Sequence, residues 1–478
     1  MRKAKIVCTI GPATSSPEKL RELIDAGMDV ARINRSHGSF EEHEAVYNNV
    51  RAAAADSGRN VAIMVDLQGP KIRLGKFAED RKYYLNEGDK FTITTRDLEG
   101  NQEIVSTTHK GLADDAKVGD PLLIDDGKVR VRVTNVNKET GDVETVVEIP
   151  GPVSNNKGIN LPGAAVSVPA MSEKDIEDLR WALRMGADFI ALSFVRNSKD
   201  YDDVRKVMDE EGIVVPVIAK IEKPQAIENL EEVIAAFDAF MVARGDLAVE
   251  MPLEEVPLIQ KRIIELARRN AKPVIVATQV LESMTNNPRP TRAEASDCAN
   301  AVLDGADAVM LSGETSVGDF PIQTVETMAS IIEATEKLGA DRIAPLGSRP
   351  HTRSGVITNS AMTVGEELGA KYFVTFTQSG DSARRMSRLR SNIPLLAFTP
   401  DEKTRKELAL DWGVQAYLIP QVGSVDAMIG MVDTTLQQNS LAEPGDRVVI
   451  VSGAPVGVPG STNSILVHKV GSMDTGRR

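Results

Sequence analysis

The 478-residue chain has no apolar segment of the roughly 18 residues that a membrane-crossing helix needs. Its first residues, Met1-Arg2-Lys3-Ala4-Lys5, lead straight into a strand-like run, so no secretory leader is predicted. It has only two cysteines, Cys8 and Cys298, in apolar or helical contexts. They read as small buried thiols of a reducing, cytoplasmic compartment. No histidine–cysteine cluster offers a zinc site. Neither a Walker A sequence nor a protein-kinase glycine loop occurs, so a bound nucleotide would have to be held by separate arginines, a lysine and a metal. The formal net charge of -13 disfavours nucleic acid and anionic membranes as partners. An anionic substrate must then be caught by local cations. Hydrophobic residues at 42% and charged residues at 26% are ordinary for a soluble globular protein.

What the chain does contain is a strand–helix alternation. Residues 5–10, 30–33 and 61–65 read as strands, with helices predicted over 17–26 and 41–55. The texture changes at Gly69-Pro70. From about 70 to 170, short β-type segments alternate with the turn signals Asn86-Glu87-Gly88-Asp89, Asp125-Asp126-Gly127 and Glu139-Thr140-Gly141-Asp142. This predicts a small inserted β-barrel domain, with Pro150, Pro152, Pro162 and Pro169 marking its exit. Strands then follow at about 188–194, 214–221, 238–243, 273–277 and 307–311. Three and five make eight, which predicts an α/β fold built on a (β/α)8 TIM barrel. Gly-Ala-Asp stands before two of these strands, at 186–188 and 305–307, and reads as a local turn rather than a repeat. After a linker at 339–354, strands at 372–376, 395–398, 417–419 and 448–451 predict a C-terminal open α/β domain. The expected division is 1–69 with 171–338 for the barrel, 70–170 for the insert and 339–478 for the last domain.

Two mid-chain runs carry the chemistry. Val214 to Ala219 is apolar and then meets Lys220 and Glu222; Ala239 to Ala243 meets Arg244, Gly245 and Asp246. Charges do not belong inside strands buried on both faces, so they are placed at the strand mouths. The other predicted strand ends are as polar: Arg32, Asn34, Arg35, Ser36 and His37; Asp66, Lys71 and Arg73; Ser193 and Arg196; Thr278 and Gln279; Ser312 and Glu314. Catalytic groups of such barrels lie on this face. Glu222 and Asp246 are hard oxygen donors suited to Mg²⁺ or Mn²⁺, although Lys220 and Glu222 could instead form a structural ion pair. Gly245 lets an anion approach its backbone N–H. Arg-Gly-Asp as an adhesion motif does not suit an acidic chain of this kind. Phosphoryl transfer and metal-assisted carbon–carbon lyase chemistry both stay open on these residues, as does a catalytically inactive metabolite sensor.

Over its full length the chain resembles the pyruvate kinase family. The likeness rests on Ala31-Arg32-Ile33-Asn34-Arg35-Ser36-His37-Gly38, Gly69-Pro70-Lys71-Ile72-Arg73, the run from Asn156 to Gly163, Ile218-Ala219-Lys220-Ile221-Glu222, Ala243-Arg244-Gly245-Asp246-Leu247, Ala277-Thr278-Gln279 and Leu311-Ser312-Gly313-Glu314-Thr315. The resemblance implies transfer of a phosphoryl group from phosphoenolpyruvate to ADP, giving pyruvate and ATP. It implies Lys220 over the moving phosphoryl group, Glu222 and Asp246 as Mg²⁺ ligands, and Gly245, Asp246 and Thr278 at the substrate carboxylate. Arg32 and Arg73 would grip phosphates. Asn34, Arg35, Ser36, His37, Arg73 and Lys157 would contact the nucleotide, with the inserted domain closing as a lid. Thr278 would join a water relay that protonates the enolate, and Arg244 would serve a structural ion pair.

The family's K⁺ site matches Asn34, Ser36, Asp66 and the carbonyl of Leu67, but many members carry an acid where this chain has Lys71. The expectation is that the Lys71 ammonium replaces K⁺; pairing of Lys71 with Asp66 is the alternative. In the last domain, Thr377, Gln378, Ser379, Gly380 and Ser382 open a helix after a strand and read as a phosphate cradle, with ordinary capping by Ser379 or Asp381 as the alternative; the resemblance implies that this loop holds the phosphate of an allosteric effector. Asp381 beside it favours a sugar monophosphate or AMP over a bisphosphate. Residues 452–455 and 457–463 are expected as its flexible opposite wall. The resemblance also implies a homotetramer.

Overall fold

The computed structural model describes residues 2–163, 167–455, 457–458 and 460–472. Eight parallel strands close into a barrel: β1 (Lys5–Thr9), β2 (Val30–Asn34), β3 (Ala62–Asp66) and, after the insert, β12 (Phe189–Leu192), β13 (Val217–Ile221), β14 (Ala239–Ala243), β15 (Val274–Ala277) and β16 (Ala308–Leu311), with β16 returning to β1. The strands are shorter than their apolar runs suggest. Val214 to Pro216 lead into β13 without joining it, and Pro216 has no N–H for the ladder. Alternate side chains fill the interior, among them Val7, Val30, Met64, Phe189, Ile218, Met241, Ile275 and Met310. The others pack outward against the helices.

Between β3 and β12 the chain forms the predicted β unit. Strands β4 (Tyr83–Leu85), β5 (Lys90–Thr94), β6 (Ile104–Ser106), β7 (Pro121–Ile124), β8 (Val129–Asn137), β9 (Asp142–Ile149), β10 (Gly151–Val153) and β11 (Ile159–Asn160) make a six-stranded sheet and a two-stranded ribbon around one core. The C-terminal sheet has the order β19 (Val414–Leu418), β18 (Leu395–Thr399), β17 (Tyr372–Phe376), β20 (Arg447–Gly453), β21 (Thr462–Lys469). β21 was not expected. It begins within the stretch read as a flexible wall and runs antiparallel to β20 through residue 469.

Four aspartates lock the barrel at its N-terminal rim. Each precedes the second, fourth, sixth or eighth strand in barrel order and grips one residue of the strand before. The aspartate N–H donates to that residue's carbonyl, and the carboxylate accepts that residue's N–H. Asp29 grips Ile6 (3.0 and 2.9 Å), Asp188 grips Ile63 (2.9 and 2.7 Å), Asp238 grips Val217 (3.1 and 2.9 Å) and Asp307 grips Val274 (3.0 and 3.0 Å). The Gly-Ala-Asp likeness therefore has structural content after all: it marks two of four equivalent clamps. Cations balance three of the buried acids, with Arg2 at 2.7 Å from Asp29, Arg51 at 2.9 Å from Asp188 and Arg390 at 3.0 Å from Asp307.

Arg390 comes from the C-terminal unit, which closes the barrel floor. Ala409 and Leu410 pack among the barrel's interior side chains, and the Trp412 N–H donates to Asp307 at 3.2 Å. Beside them Asp411 is fully buried. Burial lifts its carboxyl from 3.8 to about 7; Arg384, with Nε at 3.4 Å, works against that lift and the nearby Asp307 charge adds to it. Lys5 and Arg390 also oppose it.

Two outcomes follow from this rim. Asp188→Ala removes the acceptor of the buried Ile63 N–H and should destabilise the protein by about 2 kcal/mol, read as a fall of several degrees in the thermal midpoint; an unchanged midpoint would refute the clamp's importance. Because the fold raises the Asp411 pKa, this group's stabilising contribution is complete below the ordinary 3.8 and declines as pH rises to about 7. Asp411→Asn should leave the midpoint unchanged at pH 4 and raise it at pH 8, by at most about 4 kcal/mol of stability. Parallel pH profiles for the two proteins would overturn the assignment.

Candidate active site

The barrel register sets the central charges. β2 pairs with β3 so that Asn34 lies opposite Asp66, and β13 projects Lys220 inward. Lys220 Nζ stands 2.9 Å from Glu222 and 3.4 Å from Asp66, and donates to Ser193 Oγ at 2.8 Å. Burial alone would drive the proton off Lys220, but the Asp66 and Glu222 charges outweigh it and the net direction is upward, so the side chain is an ammonium. Arg32 donates through Nε to Asp66 Oδ2 at 2.7 Å and through Nη1 to Thr9 Oγ1 at 2.9 Å. Burial pushes Asp66 upward, yet Lys220 and Arg32 hold it below the usual carboxylate range.

Sequence reasoning placed Ser193 at a strand end without giving it a task. Its hydroxyl accepts from Lys220 and donates to the Leu67 carbonyl at 2.8 Å, tying β3 and β13 together through the end of β12. A serine directly after a fully buried strand was the available signal.

Glu222 is 1% exposed. Its Oε2 accepts the Phe194 N–H at 2.9 Å, and Oε1 faces the Lys220 ammonium at 2.9 Å. Burial pushes Glu222 upward and the neighbouring Asp246 charge pushes it further, while Lys220 opposes both. A further cation between Glu222 and Asp246 would remove that penalty. Among the described residues no group of three or more histidine, cysteine or acidic side chains is poised for a metal. Two carboxylates suit Mg²⁺, which keeps several waters and binds through one or two carboxylates plus substrate oxygens.

The Arg244-Gly245-Asp246 turn stands beside Thr278. Gly245 N–H donates to Thr278 Oγ1 at 2.8 Å, which donates to the Ala277 carbonyl at 2.6 Å. A Cβ on Gly245 would meet nothing closer than 3.5 Å, so the fold itself does not demand glycine there. Thr278 has φ +67, and such a left-handed β-branched residue costs on the order of 1–3 kcal/mol. Arg244 holds it: its guanidinium donates to the Ala277 and Thr278 carbonyls and makes two 2.7 Å bonds to Asp297. The expected ion pair of Arg244 thus has a scaffold role.

The loop after β2 divides its side chains. Asn34 and Ser36 are half-buried, and His37 is exposed. Arg35, expected at the nucleotide, is instead 2% exposed and bound to Asp178, because the loop turns it inward between two aromatic rings. Arg73 and Lys157 lie on adjoining, antiparallel parts of the lid, where Arg73 bridges to Gly158. Arg73 donates to the Asn156 carbonyl at 3.1 Å and Lys157 to Asp125 at 3.0 Å. A buried contact fastens lid to barrel: Asn160 and Lys223 both donate to Glu250 Oε1, at 2.7 and 2.6 Å.

Lys71 does not pair with Asp66. Its ammonium lies 3.7 Å from the lid's Asp126 and 4.0 Å from Asp246. In the matching K⁺ set, Asp66 is taken by Arg32 and Lys220, the Leu67 carbonyl accepts from Ser193, and Asn34 Oδ1 accepts the Ser36 N–H at 3.1 Å.

In the C-terminal unit, Thr377, Gln378, Ser379, Asp381 and Ser382 line a cleft with Pro420, Ser461 and Thr462. Gly380, at φ +82, donates its N–H to Thr377 Oγ1, and Ser382 bonds Thr462 at 2.6 Å. Asp381 is bonded to Arg385 at 2.7 Å. No lysine or arginine lines the cleft among the described residues.

Comparison with known proteins places this architecture. The family model "Pyruvate kinase, barrel domain" matches residues 1–325, and "Pyruvate kinase, alpha/beta domain" matches 356–468. A pyruvate kinase of Mycobacterium intracellulare is 56% identical over 473 residues, covering 99% of both chains. One of Corynebacterium glutamicum is 56% identical over 470 residues, covering 98% of both. The crystal structure of a pyruvate kinase from Cryptosporidium parvum superposes with a TM-score of 0.92 at 34% identity, covering 98% of this chain and 96% of that one. By both sequence and fold the chain belongs to the pyruvate kinase family, and is by that membership a phosphotransferase.

Proposed function

We propose that the chain transfers the phosphoryl group of phosphoenolpyruvate to ADP with Mg²⁺ (or Mn²⁺), giving pyruvate and ATP. One observation carries this reading: a buried ammonium, Lys220, held charged by Asp66 and Glu222 at the barrel mouth beside Arg32. Such a cation stabilises negative charge on phosphoryl oxygens and on the departing enolate. Arg32 adds a donor fork for phosphate. Glu222 and Asp246 would hold the divalent ion, which when bound offsets charge on the substrate oxygens. The Asp246 N–H and the Gly245 N–H, once released from Thr278 Oγ1, would receive the carboxylate beside Thr278. As an ADP oxygen attacks phosphorus, the bond to the enolate oxygen breaks, and the enolate carbon then takes a proton from water ordered near Thr278. Arg73 and Lys157, together with the loop residues Asn34, Ser36 and His37, would contact the nucleotide while the lid excludes water.

K⁺ is not required in this reading. Oxygens of Asn34, Asp66 and Leu67 from its ligand set already have donors, and Lys71 brings a fixed positive charge to within 4.0 Å of Asp246. The C-terminal cleft would take an allosteric effector with one phosphate, a sugar monophosphate or AMP, because hydroxyl side chains line it and, among the described residues, no lysine or arginine does. A homotetramer in the cytoplasm completes the proposal. In its support, β21 is an edge strand, and no helix among the described residues is long and apolar enough to cross a membrane.

A coupled assay with phosphoenolpyruvate, ADP and MgCl₂ should yield pyruvate and ATP in equal amounts; pyruvate without ATP would indicate a lyase instead. Lys220→Met should lower kcat by roughly 10³-fold with the fold intact by circular dichroism, and a loss below tenfold would remove Lys220 from the chemistry. Omitting KCl should change the wild-type rate less than twofold, whereas Lys71→Glu should make it rise at least tenfold on adding KCl. Strong K⁺ activation of the wild type would sink the substitution argument.

A further inference from the structure

The helix Glu173–Met185 resumes the barrel after the lid, and its first two turns touch two places that the reaction needs. One is the loop after β2. Arg35 donates through Nε and Nη2 to Asp178 Oδ1, at 3.0 and 2.6 Å. Its guanidinium lies 4.4 Å from the Phe40 ring centre and 5.0 Å from that of Trp181. Lys174 completes the grip by donating to the Arg35 carbonyl at 2.8 Å and to Asp178 Oδ2 at 2.5 Å. The other place is the lid's outgoing hinge. Asp175 Oδ1 accepts the Gly69 N–H at 3.0 Å, while its Oδ2 caps the helix through Ser172. Gly69 has φ +75, and a Cβ there would come within 2.7 Å of Phe194 and 2.8 Å of Ser193, so this hinge has no slack.

Asp175 and Asp178 are both fully buried and lie one turn apart on one rigid helix. Any shift of this helix is therefore shared by the hinge and the loop. We propose that its N-terminal turns form a bracket coupling the position of the lid to the loop Asn34–Gly38, with Arg35 and Asp178 as positioning residues for the nucleoside diphosphate. This rests on the phosphotransfer reading above. Arg35 acts through the loop: with its guanidinium satisfied by Asp178 it does not reach the nucleotide, and it leaves Ser36 and His37 to face outward. The two rings and the carboxylate fix the arginine in one rotamer, and the backbone on either side inherits that order.

The test compares Arg35→Met, Asp178→Asn and the milder Lys174→Met, which leaves no buried charge unpaired. Arg35→Met and Asp178→Asn should each raise KM for ADP about tenfold and the double variant no further, with kcat and KM for phosphoenolpyruvate within twofold. Lys174→Met should move KM for ADP about threefold in the same direction. If Arg35→Met weakens ADP while Asp178→Asn leaves it unchanged or tighter, Arg35 is a direct contact and the bracket is wrong. Amide hydrogen exchange of the full chain without substrates supplies a second readout. Exchange at 34–38 and at 68–71 should quicken together in the variants; quickening at 34–38 alone would overturn the coupling to the hinge. Should wild-type protein fail to convert phosphoenolpyruvate and ADP, the substrate reading falls, and hydrogen exchange alone still decides the bracket.

Discussion

A one-residue slip between neighbouring strands turns each side chain to the opposite face. On β13 such a slip would carry Lys220 out of the barrel mouth and put Ala219 or Ile221 in its place. The site is assembled from the ends of seven strands, so its geometry is only as good as their mutual register. The four rim aspartates enforce it at the opposite end, each fastening one strand pair by both a backbone and a side-chain bond. Parallel ladders bury both faces and have no hairpin turns to set their register. A clamp on every second strand supplies what short connections cannot.

The mouth of the barrel is the reverse of its rim in electrostatic terms. At the rim, acids serve backbone N–H groups and cations neutralise the acids. At the mouth, Asp66 and Glu222 keep the Lys220 ammonium charged in a dry setting. An overall charge of -13 says nothing of this arrangement, since the groups concerned are nearly all buried. The Arg244–Asp297 pair belongs to the same economy: it spends no charge on a ligand and holds Thr278 in a conformation that a threonine does not adopt unaided.

Much of this was legible in the chain. Apolar runs ending in Lys220, Glu222 and Asp246 announced strand ends because no buried strand tolerates such groups in its middle. Counting those runs gave the barrel, and the turn signals gave the lid. Arg35 was grouped with its less buried neighbours Asn34, Ser36 and His37; loop residues have no fixed period, and its partner Asp178 is 143 positions away. Pairing of Lys71 with Asp66 was the alternative to its replacing K⁺, and the turn at Gly69 instead carries Lys71 toward Asp126 and Asp246. β21 escaped because glycines precede it and most of its side chains are only half-buried, which leaves no clear apolar alternation. The clamps were half visible: the tripeptide was seen, but an aspartate before a strand looks like any turn until its partner on the neighbouring strand is known.

The floor plug has a further meaning. Leu410 is the lowest layer of the barrel's filling, yet it belongs to the turn that follows the short helix Glu402–Glu407. Within that helix Thr404 donates to the carbonyl of Gln378, a wall of the C-terminal cleft, at 2.7 Å. Two turns of chain therefore separate the cleft from the barrel's interior packing. The halves meet as a piston meets its cylinder: the barrel cannot be emptied of its neighbour without opening at the bottom.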